Sequence, residues 1–497
     1  MRALTRPILA AFLTVLAAVT PVVSPAHAAR AAGSPAWKPC AEDKTAGCAT
    51  IRVPIDWARP HGATVAIALA RRPATDPKAR IGTLIVNPGG PGGSGVDFAM
   101  DSPYFFSKAV RKHFDIVGYD PRGVSRSHAV VCSVKLLNAS PPITITDQKQ
   151  YNAVVAYNRR LAADCAKRTG PLFGHVDTLS VARDMDALRA ALGEQKISFY
   201  GASYGTLLGQ QYAELYPQRL RALVLDSVMD HSGDITSFLG GETNTAQDSF
   251  RQFVAWCGRS TECALHGRDV RKLWAGLLAS ARRGMLRDPF EPTRRLGEYD
   301  LLDAAFGSFY DPQWHALAIF IEEATGGPAG RKAKPTLDVL EHSFPAVFCD
   351  DWALPVAGYP DLRARLARLA RDNPQMPYSP LGLSSLVGCL GWPLPASNPQ
   401  RPLKPARTGS ILLINARHDP ATSYGWARNV AARLGPAASL FTYDGWGHTV
   451  YGRSTCVNTV VDRYLIALRR PVAGASCPGV LPEPSGVGGG IGRAGYR

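Results

Sequence analysis

The pentapeptide Gly201-Ala202-Ser203-Tyr204-Gly205 constrains this chain more than any other stretch. It follows the apolar run Ile197-Ser198-Phe199-Tyr200 and precedes Thr206-Leu207-Leu208-Gly209-Gln210-Gln211-Tyr212-Ala213, which reads as a helix. A G-x-S-x-G sequence between a strand and a helix forces a sharp turn that lifts the serine hydroxyl clear of a sheet. Glycines two before and two after the serine let strand and helix pass closely. Ser203 is therefore a candidate nucleophile. The bland alternative is a plain glycine-rich turn.

A serine hydroxyl is a weak nucleophile and needs a base, with an acid to orient that base. In a sheet of this kind the partners follow in the order Ser, Asp or Glu, His, each after a late strand. Ser410-Ile411-Leu412-Leu413-Ile414-Asn415 reads as a buried strand running into Ala416-Arg417-His418-Asp419-Pro420. Leu440-Phe441-Thr442-Tyr443 reads as a shorter strand, followed by Asp444-Gly445-Trp446-Gly447-His448-Thr449. Asp419 and His448 are thus the candidate acid and base. Two rivals exist. His418 directly precedes the acid, and neighbours on an extended segment point to opposite sides. Asp226 ends the run Ala222-Leu223-Val224-Leu225, another place from which a carboxylate could reach the histidine.

Acyl transfer also needs donors for an oxyanion. The Tyr204 amide, next after the serine, supplies one. Thr83-Leu84-Ile85-Val86 reads as an early strand, and Asn87-Pro88-Gly89-Gly90-Pro91-Gly92-Gly93-Ser94-Gly95 follows it. So many glycines let backbone amides face inward, and Gly90 is the candidate second donor. The loop fits neither phosphate-binding glycine pattern.

Bulk properties narrow the class. A chain of 497 residues with 46% hydrophobic and 19% charged residues has the balance of a globular protein of one or two domains. The net charge of +16 raises the question of nucleic acid. Its arginines, however, are scattered in pairs such as Arg71-Arg72, Arg159-Arg160, Arg282-Arg283, Arg294-Arg295 and Arg469-Arg470, and no nucleic-acid module is recognisable. The charge reads as solvated surface suited to an anionic cell envelope. Residues 1–28 read as a signal peptide: Arg2 and Arg6, an uncharged and mostly apolar stretch from Ile8 to Val23, then Ala26-His27-Ala28 as an A-x-A cleavage site. No later segment is long and apolar enough to span a membrane. The 10 cysteines agree with an exported protein. Sequence does not fix their connectivity. Neighbour pairing is the simplest arrangement: Cys40 with Cys48, Cys132 with Cys165, Cys257 with Cys263, Cys349 with Cys389, and Cys456 with Cys477. No C-x-x-C pair suggests zinc, and the sequence implies no metal and no cofactor.

Along the chain, residues 29–50 read as a lead-in. From about residue 51 to 230 strands and helices alternate, which argues for a mostly parallel sheet. Phe114-Asp115-Ile116-Val117-Gly118-Tyr119 is one such strand, and Val181, Met185, Leu188 and Leu192 mark an amphipathic helix. Residues 231–407 lack the alternation and are rich in helical patterns, Asp361 to Arg371 among them. This stretch separates the nucleophile from the acid and base, the natural place for a cap. The sheet pattern returns over 408–478, and 479–497 is a glycine-rich tail.

Taken together, these residues resemble the α/β-hydrolase fold, and more narrowly the exported tripeptidyl aminopeptidases and proline iminopeptidase relatives of actinobacteria. The resemblance rests on Asn87-Pro88-Gly89-Gly90-Pro91-Gly92, Asp120-Pro121-Arg122-Gly123, Gly201-Ala202-Ser203-Tyr204-Gly205, Asp419-Pro420-Ala421-Thr422 and Gly447-His448. Proline iminopeptidases usually carry histidine where Pro88 stands here, which fits the tripeptidyl branch better. The resemblance implies an α/β-hydrolase fold with an inserted, mainly helical cap, and an exopeptidase that releases short peptides from free N-termini. Such an enzyme must recognise a protonated amine at a fixed distance from the scissile bond, and carboxylates in the cap do this best. The candidates are Glu242, the Glu322-Glu323 pair and the Asp350-Asp351 pair. Two other readings stand beside it: an exported esterase or lipase using the same triad, and a non-catalytic envelope-binding protein on the same fold. The sequence leaves the oligomeric state open, a monomer included.

Overall fold

The computed structural model describes residues 33–291, 293–326, 339–404 and 409–482. The expected signal peptide and all but the first few residues of the glycine-rich tail lie outside the described residues. The architecture is a mostly parallel sheet with helices on both faces. Its strands, in chain order, begin with β1 (Lys38–Pro39), β2 (Gly47–Pro54), β3 (Thr64–Arg72), β4 (Gly82–Asn87) and β5 (Phe114–Tyr119). They continue with β6 (Val131–Ser133), β7 (Ile197–Ala202), β8 (Leu220–Asp226), β9 (Val339–Glu341), β10 (Ile411–His418), β11 (Ala438–Trp446) and β12 (Ser476–Pro478). Ten of them form one sheet in the order β1-β2-β3-β5-β4-β7-β8-β10-β11-β12, and β6 pairs with β9 apart from it. The first four strands of that order pair antiparallel and the rest parallel.

The central strands read as continuous apolar runs because both faces are covered. Ile85, Phe199, Leu223, Leu225 and Leu413 point into one core. Leu84, Val86, Tyr200, Val224, Leu412 and Ile414 point into the other. The register aligns the carboxyl ends: Asn87 sits opposite Gly201, Ala202 opposite Asp226, and Asp226 opposite Ile414. In an open parallel sheet that row of strand ends is where a site is built.

Between β8 and β10 the described residues form seven helices, from Ile235–Arg259 to Pro380–Cys389, and the short strand β9. Pairing of β9 with β6 stitches this insertion to the body of the fold, a contact with no sequence signal. Two further boundaries differ from expectation. The sheet begins inside the stretch read as a lead-in, because β2 starts at Gly47 and carries the Cys40–Cys48 disulfide at its base. β11 runs on to Trp446, its last residues held between β10 and β12.

All ten cysteines are paired, as Cys40–Cys48, Cys132–Cys165, Cys257–Cys263, Cys349–Cys389 and Cys456–Cys477. Among the described residues no helix is long and apolar enough to cross a membrane.

Candidate active site

Ser203 stands between the end of β7 and the Gly205–Leu215 helix with φ 55°, in the left-handed region. For a residue with a side chain this costs about 1–3 kcal/mol and persists only where the surroundings enforce it. They do. The Ser203 amide donates to Asp226 O at 2.8 Å, and Ser203 O accepts from the Thr206 amide at 2.9 Å and the Thr206 hydroxyl at 2.6 Å. A Cβ on Gly201 would stand 2.4 Å from Gly205 O, so the strand meets the helix only as glycine, and a Cβ on Gly205 would stand 2.6 Å from Asn87 Oδ1. A Cβ on Gly89 would lie 2.4 Å from Ala202 O and 2.8 Å from Tyr204 N. The glycine loop after β4 is thus pressed onto the turn that bears the serine. Ser203 is partly exposed, whereas its neighbours on both sides are buried.

His448 is buried, and its Nδ1 lies 2.9 Å and 3.1 Å from the two carboxylate oxygens of Asp419. Asp419 immediately follows β10. Its Oδ1 also accepts the Ala421 and Thr422 amides, each at 2.9 Å, and its Oδ2 accepts the Thr422 hydroxyl at 2.9 Å. Burial alone would raise its pKa. The His448 ring beside it, its hydrogen bond and the two amides outweigh that, and the carboxyl lies below its ordinary range. A proton on Nδ1 directed at a carboxylate leaves Nε2 as the lone-pair nitrogen. That Nε2 is buried and has no hydrogen-bond partner among the described residues.

The strand β8 ties serine and histidine to one place. Asp226 O holds the Ser203 amide, while the next residue, Ser227, accepts the Thr449 amide on its hydroxyl at 2.8 Å. The rival acid is engaged elsewhere. Asp226 accepts the Val450 amide at 2.8 Å, the Tyr451 amide at 3.0 Å and the Tyr200 hydroxyl at 2.6 Å, so it grips the backbone just beyond His448. The rival base His418 pairs with Asp248 at 2.6 Å. Gly90 has φ 116°, open only to glycine, and a Cβ there would stand 2.9 Å from the Gly92 and Gly93 nitrogens. Among the described residues neither the Gly90 nor the Tyr204 amide donates to a protein acceptor.

Comparison with known proteins fits this geometry. The profile of the alpha/beta hydrolase fold matches residues 82–300, and that of the TAP-like proteins matches residues 375–477. The serine protease Hip1 of Mycobacterium tuberculosis is 31% identical over 478 residues, covering 89% of this chain and 90% of that protein. The chain belongs to the tripeptidyl aminopeptidase-like α/β-hydrolases. This hydrolase is also 30% identical to the tripeptidyl aminopeptidase of Streptomyces lividans, over 93% of its own length and 90% of the relative. Carboxylesterase B of Mycobacterium tuberculosis is 31% identical, with 92% and 91% covered.

The acids of the insertion behave differently from one another. Glu242, on the Ile235–Arg259 helix, is 2% exposed and accepts the Ser379 hydroxyl at 2.9 Å. Burial drives its pKa well above the usual carboxylate range, and the nearby Asp419 charge adds to this; no cation acts on it. Asp351 is saturated. It accepts the Thr178 amide at 2.9 Å, the Thr178 hydroxyl at 2.5 Å, the Asn398 amide group at 2.7 Å and the Tyr204 hydroxyl at 2.7 Å. Having spent its lone pairs on the protein, it has no capacity left for an ammonium. Asp350 is turned to the Ser397 hydroxyl and amide. Glu322 and Glu323 are exposed, and Glu322 faces Arg268 at 3.9 Å.

Some residues of this site carry no sequence signal. Tyr310, at the end of the Glu298–Tyr310 helix, lays its ring 4.4 Å from the His448 ring. Arg453 binds the carbonyls of His448 and Thr449. Neither lies in a motif, and only the fold brings Tyr310 to a residue so distant in sequence.

Proposed function

We propose that this hydrolase is an exported aminopeptidase that removes short peptides, tripeptides foremost, from free N-termini. In this reading Ser203 is the nucleophile, His448 the base and Asp419 the acid that orients it, with the Gly90 and Tyr204 amides as oxyanion donors. Ser203 Oγ attacks the scissile carbonyl while His448 Nε2 takes its proton. The carbonyl oxygen, now anionic, is met by the two amides. The C–N bond breaks, His448 protonates the leaving amine, and the short peptide remains esterified on Ser203. Water, deprotonated by His448, releases it. Asp419 keeps the imidazole in the tautomer that leaves Nε2 free and steadies its charged form.

The observation that carries the exopeptidase reading is Glu242. A buried carboxyl with one hydroxyl partner and no cation is costly to keep. An ester of an uncharged acid gives it nothing to do. A peptide's ammonium would lower its pKa, so that its proton passes to solvent, and would supply the missing charge partner. Residues 51–230 and 408–478 then form the catalytic unit, and residues 231–407 a cap whose Glu242 measures the distance from N-terminus to scissile bond. The relative named tripeptidyl aminopeptidase supports the same reading. Five disulfides and the leader-like residues 1–28 support export, with the mature chain starting at Ala29.

The relative named Carboxylesterase B keeps one second reading in play, an exported esterase. A tripeptide amide with a fluorogenic leaving group separates them, offered with its amine free and then acetylated, beside a simple ester. The aminopeptidase cleaves the free form alone. Equal cleavage of both peptides, or brisk ester hydrolysis with neither cleaved, overturns the reading.

A further inference from the structure

The loop that carries His448 is held in an unfavourable shape. Gly447 has φ 95°, and Thr449, a β-branched residue, has φ 61°. A β-branched side chain is seldom found there, so something must hold it. From the sheet side, Ser227 and Asp226 take the amides of Thr449, Val450 and Tyr451. From the opposite side a single guanidinium does the work. Arg453 Nε donates to Thr449 O at 2.5 Å, and Nη2 donates to His448 O at 2.8 Å and to Tyr310 O at 3.1 Å. Its Nη1 donates to Asp311 at 3.0 Å. The guanidinium lies flat on the loop: a Cβ on Gly447 would stand 2.7 Å from Arg453 Cζ. The His448 amide itself donates to Tyr310 O at 2.8 Å. Tyr310 and Asp311 belong to the insertion, whereas the loop belongs to the sheet.

From this we infer that Arg453 is a positioning residue that couples the helical insertion to the histidine loop, so that His448 is correctly placed only while the end of the Glu298–Tyr310 helix is docked. The inference rests on the reading of His448 as the base. Stability alone does not account for the arrangement. Asp311 is 75% exposed, and an ion pair to so exposed a partner contributes little. What the guanidinium provides is geometry, three carbonyls and a carboxylate served from one rigid plane, which the point charge of lysine cannot reproduce. Movement of the insertion away from the sheet would break the bonds to Tyr310 and Asp311 together and free the strained loop. Base placement and cap closure would then be one event.

The test uses the full-length enzyme and the free-amine tripeptide substrate. Arg453→Ala and Arg453→Lys should each lower kcat by about 10- to 100-fold, the scale of a base displaced by about an ångström, and leave KM within about twofold. Ethylguanidinium added in millimolar amounts should restore part of kcat in Arg453→Ala, and none in Ser203→Ala or His448→Ala. Asp311→Ala should lower kcat by about threefold, and the Arg453→Ala/Asp311→Ala double variant should match Arg453→Ala alone, since coupled residues are not additive. The Lys variant keeps a charge and a long stem at this site, so it reports on geometry if the Ala variant misfolds. Near-wild-type kcat in Arg453→Lys with an inactive His448→Ala overturns the inference and leaves the triad standing. An active His448→Ala overturns the triad reading itself. Fully additive losses overturn the coupling to the insertion.

Discussion

The row of strand ends and the helical insertion both bring carboxylates into the interior beside the candidate site, and the partners of each acid, not its depth, decide which way its pKa moves. Asp419 and Asp226 sit at the ends of adjacent strands, equally buried, each with two backbone amides on its oxygens. Asp419 is held below the ordinary carboxylate range, whereas burial raises Asp226 above it. Depth and amides are the same; what separates them is the His448 imidazole, which is hydrogen-bonded to Asp419 and acts on Asp226 only weakly and from a distance. In the insertion Glu242 and Asp351 have no such partner, and both are raised. Burial sets the default, and only an adjacent cation or incipient cation reverses it. A buried acid without one is either waiting for a charged ligand or spent on hydrogen bonds.

The largest effects should come from the strand ends. Ser203→Ala should lower kcat by about a millionfold with the fold intact, measured with the free-amine tripeptide substrate. Asp419→Asn should cost about ten-thousandfold, because the neutral side chain stabilises the wrong tautomer of His448. Asp226→Asn should cost only about tenfold, since it disturbs the loop and not the imidazole. An inverted order, with Asp226 the more damaging, would break the comparison and make Asp226 the working acid.

These strand-end residues were legible in the sequence because a parallel sheet converts chain order into position. A buried apolar run fixes a strand, its last residue fixes a place on the carboxyl edge, and the glycines of the turn announce the serine. The candidacy of Asp419 and His448 rests on no more than that. Limits appear where pattern gives way to packing. Asp226 has the position of a catalytic acid, and only the structure turns its oxygens to the Val450 and Tyr451 amides. In the insertion, Asp350-Asp351 and Glu242 looked alike as sequence. Their fates diverged through Thr178, Asn398 and Tyr204, which reach Asp351 from other parts of the chain. Helical periodicity says which face is buried but not what lies opposite it.

Glu242 tests the insertion side of the comparison. Glu242→Gln should raise KM for the free-amine tripeptide substrate by about 100-fold, the cost of leaving an ammonium without its buried partner, and leave kcat on a simple ester unchanged. The pH dependence follows from its raised pKa. Below that pKa Glu242 is neutral and binds an ammonium poorly, so KM of the wild type should fall as pH rises. The gain should end near pH 7.7–8.0, where a peptide's own amine loses its proton. In Glu242→Gln the descending part of that profile should vanish. A KM equal to that of the wild type in the Gln variant would leave Glu242 a structural acid and remove the reason to read the insertion as an amine sensor.

The smallest effect belongs to Asp351, and it separates a spent acid from a waiting one. Burial, with Asp177 nearby, raises its pKa to about 7, partly offset by the Thr178 and Asn398 hydrogen bonds. An acid whose folded pKa lies above its unfolded value costs nothing below the unfolded pKa. The cost of keeping the proton then grows as pH rises to the folded value. Asp351 should therefore lower stability progressively between about pH 4 and pH 7, and its share should disappear in Asp351→Asn. The difference in Tm between pH 5 and pH 7.5 should shrink by about 2 °C in that variant. Because Asp351 also holds the Tyr204 hydroxyl, kcat should fall by only about two- to threefold, through looser placement of the Tyr204 amide. Discrimination between free and acetylated peptides should stay as in the wild type. If Asp351→Asn lost that discrimination instead, its hydrogen-bonded oxygens would be exchanging their protein donors for the substrate's ammonium. Asp351 and Glu242 would then be acids of the same kind.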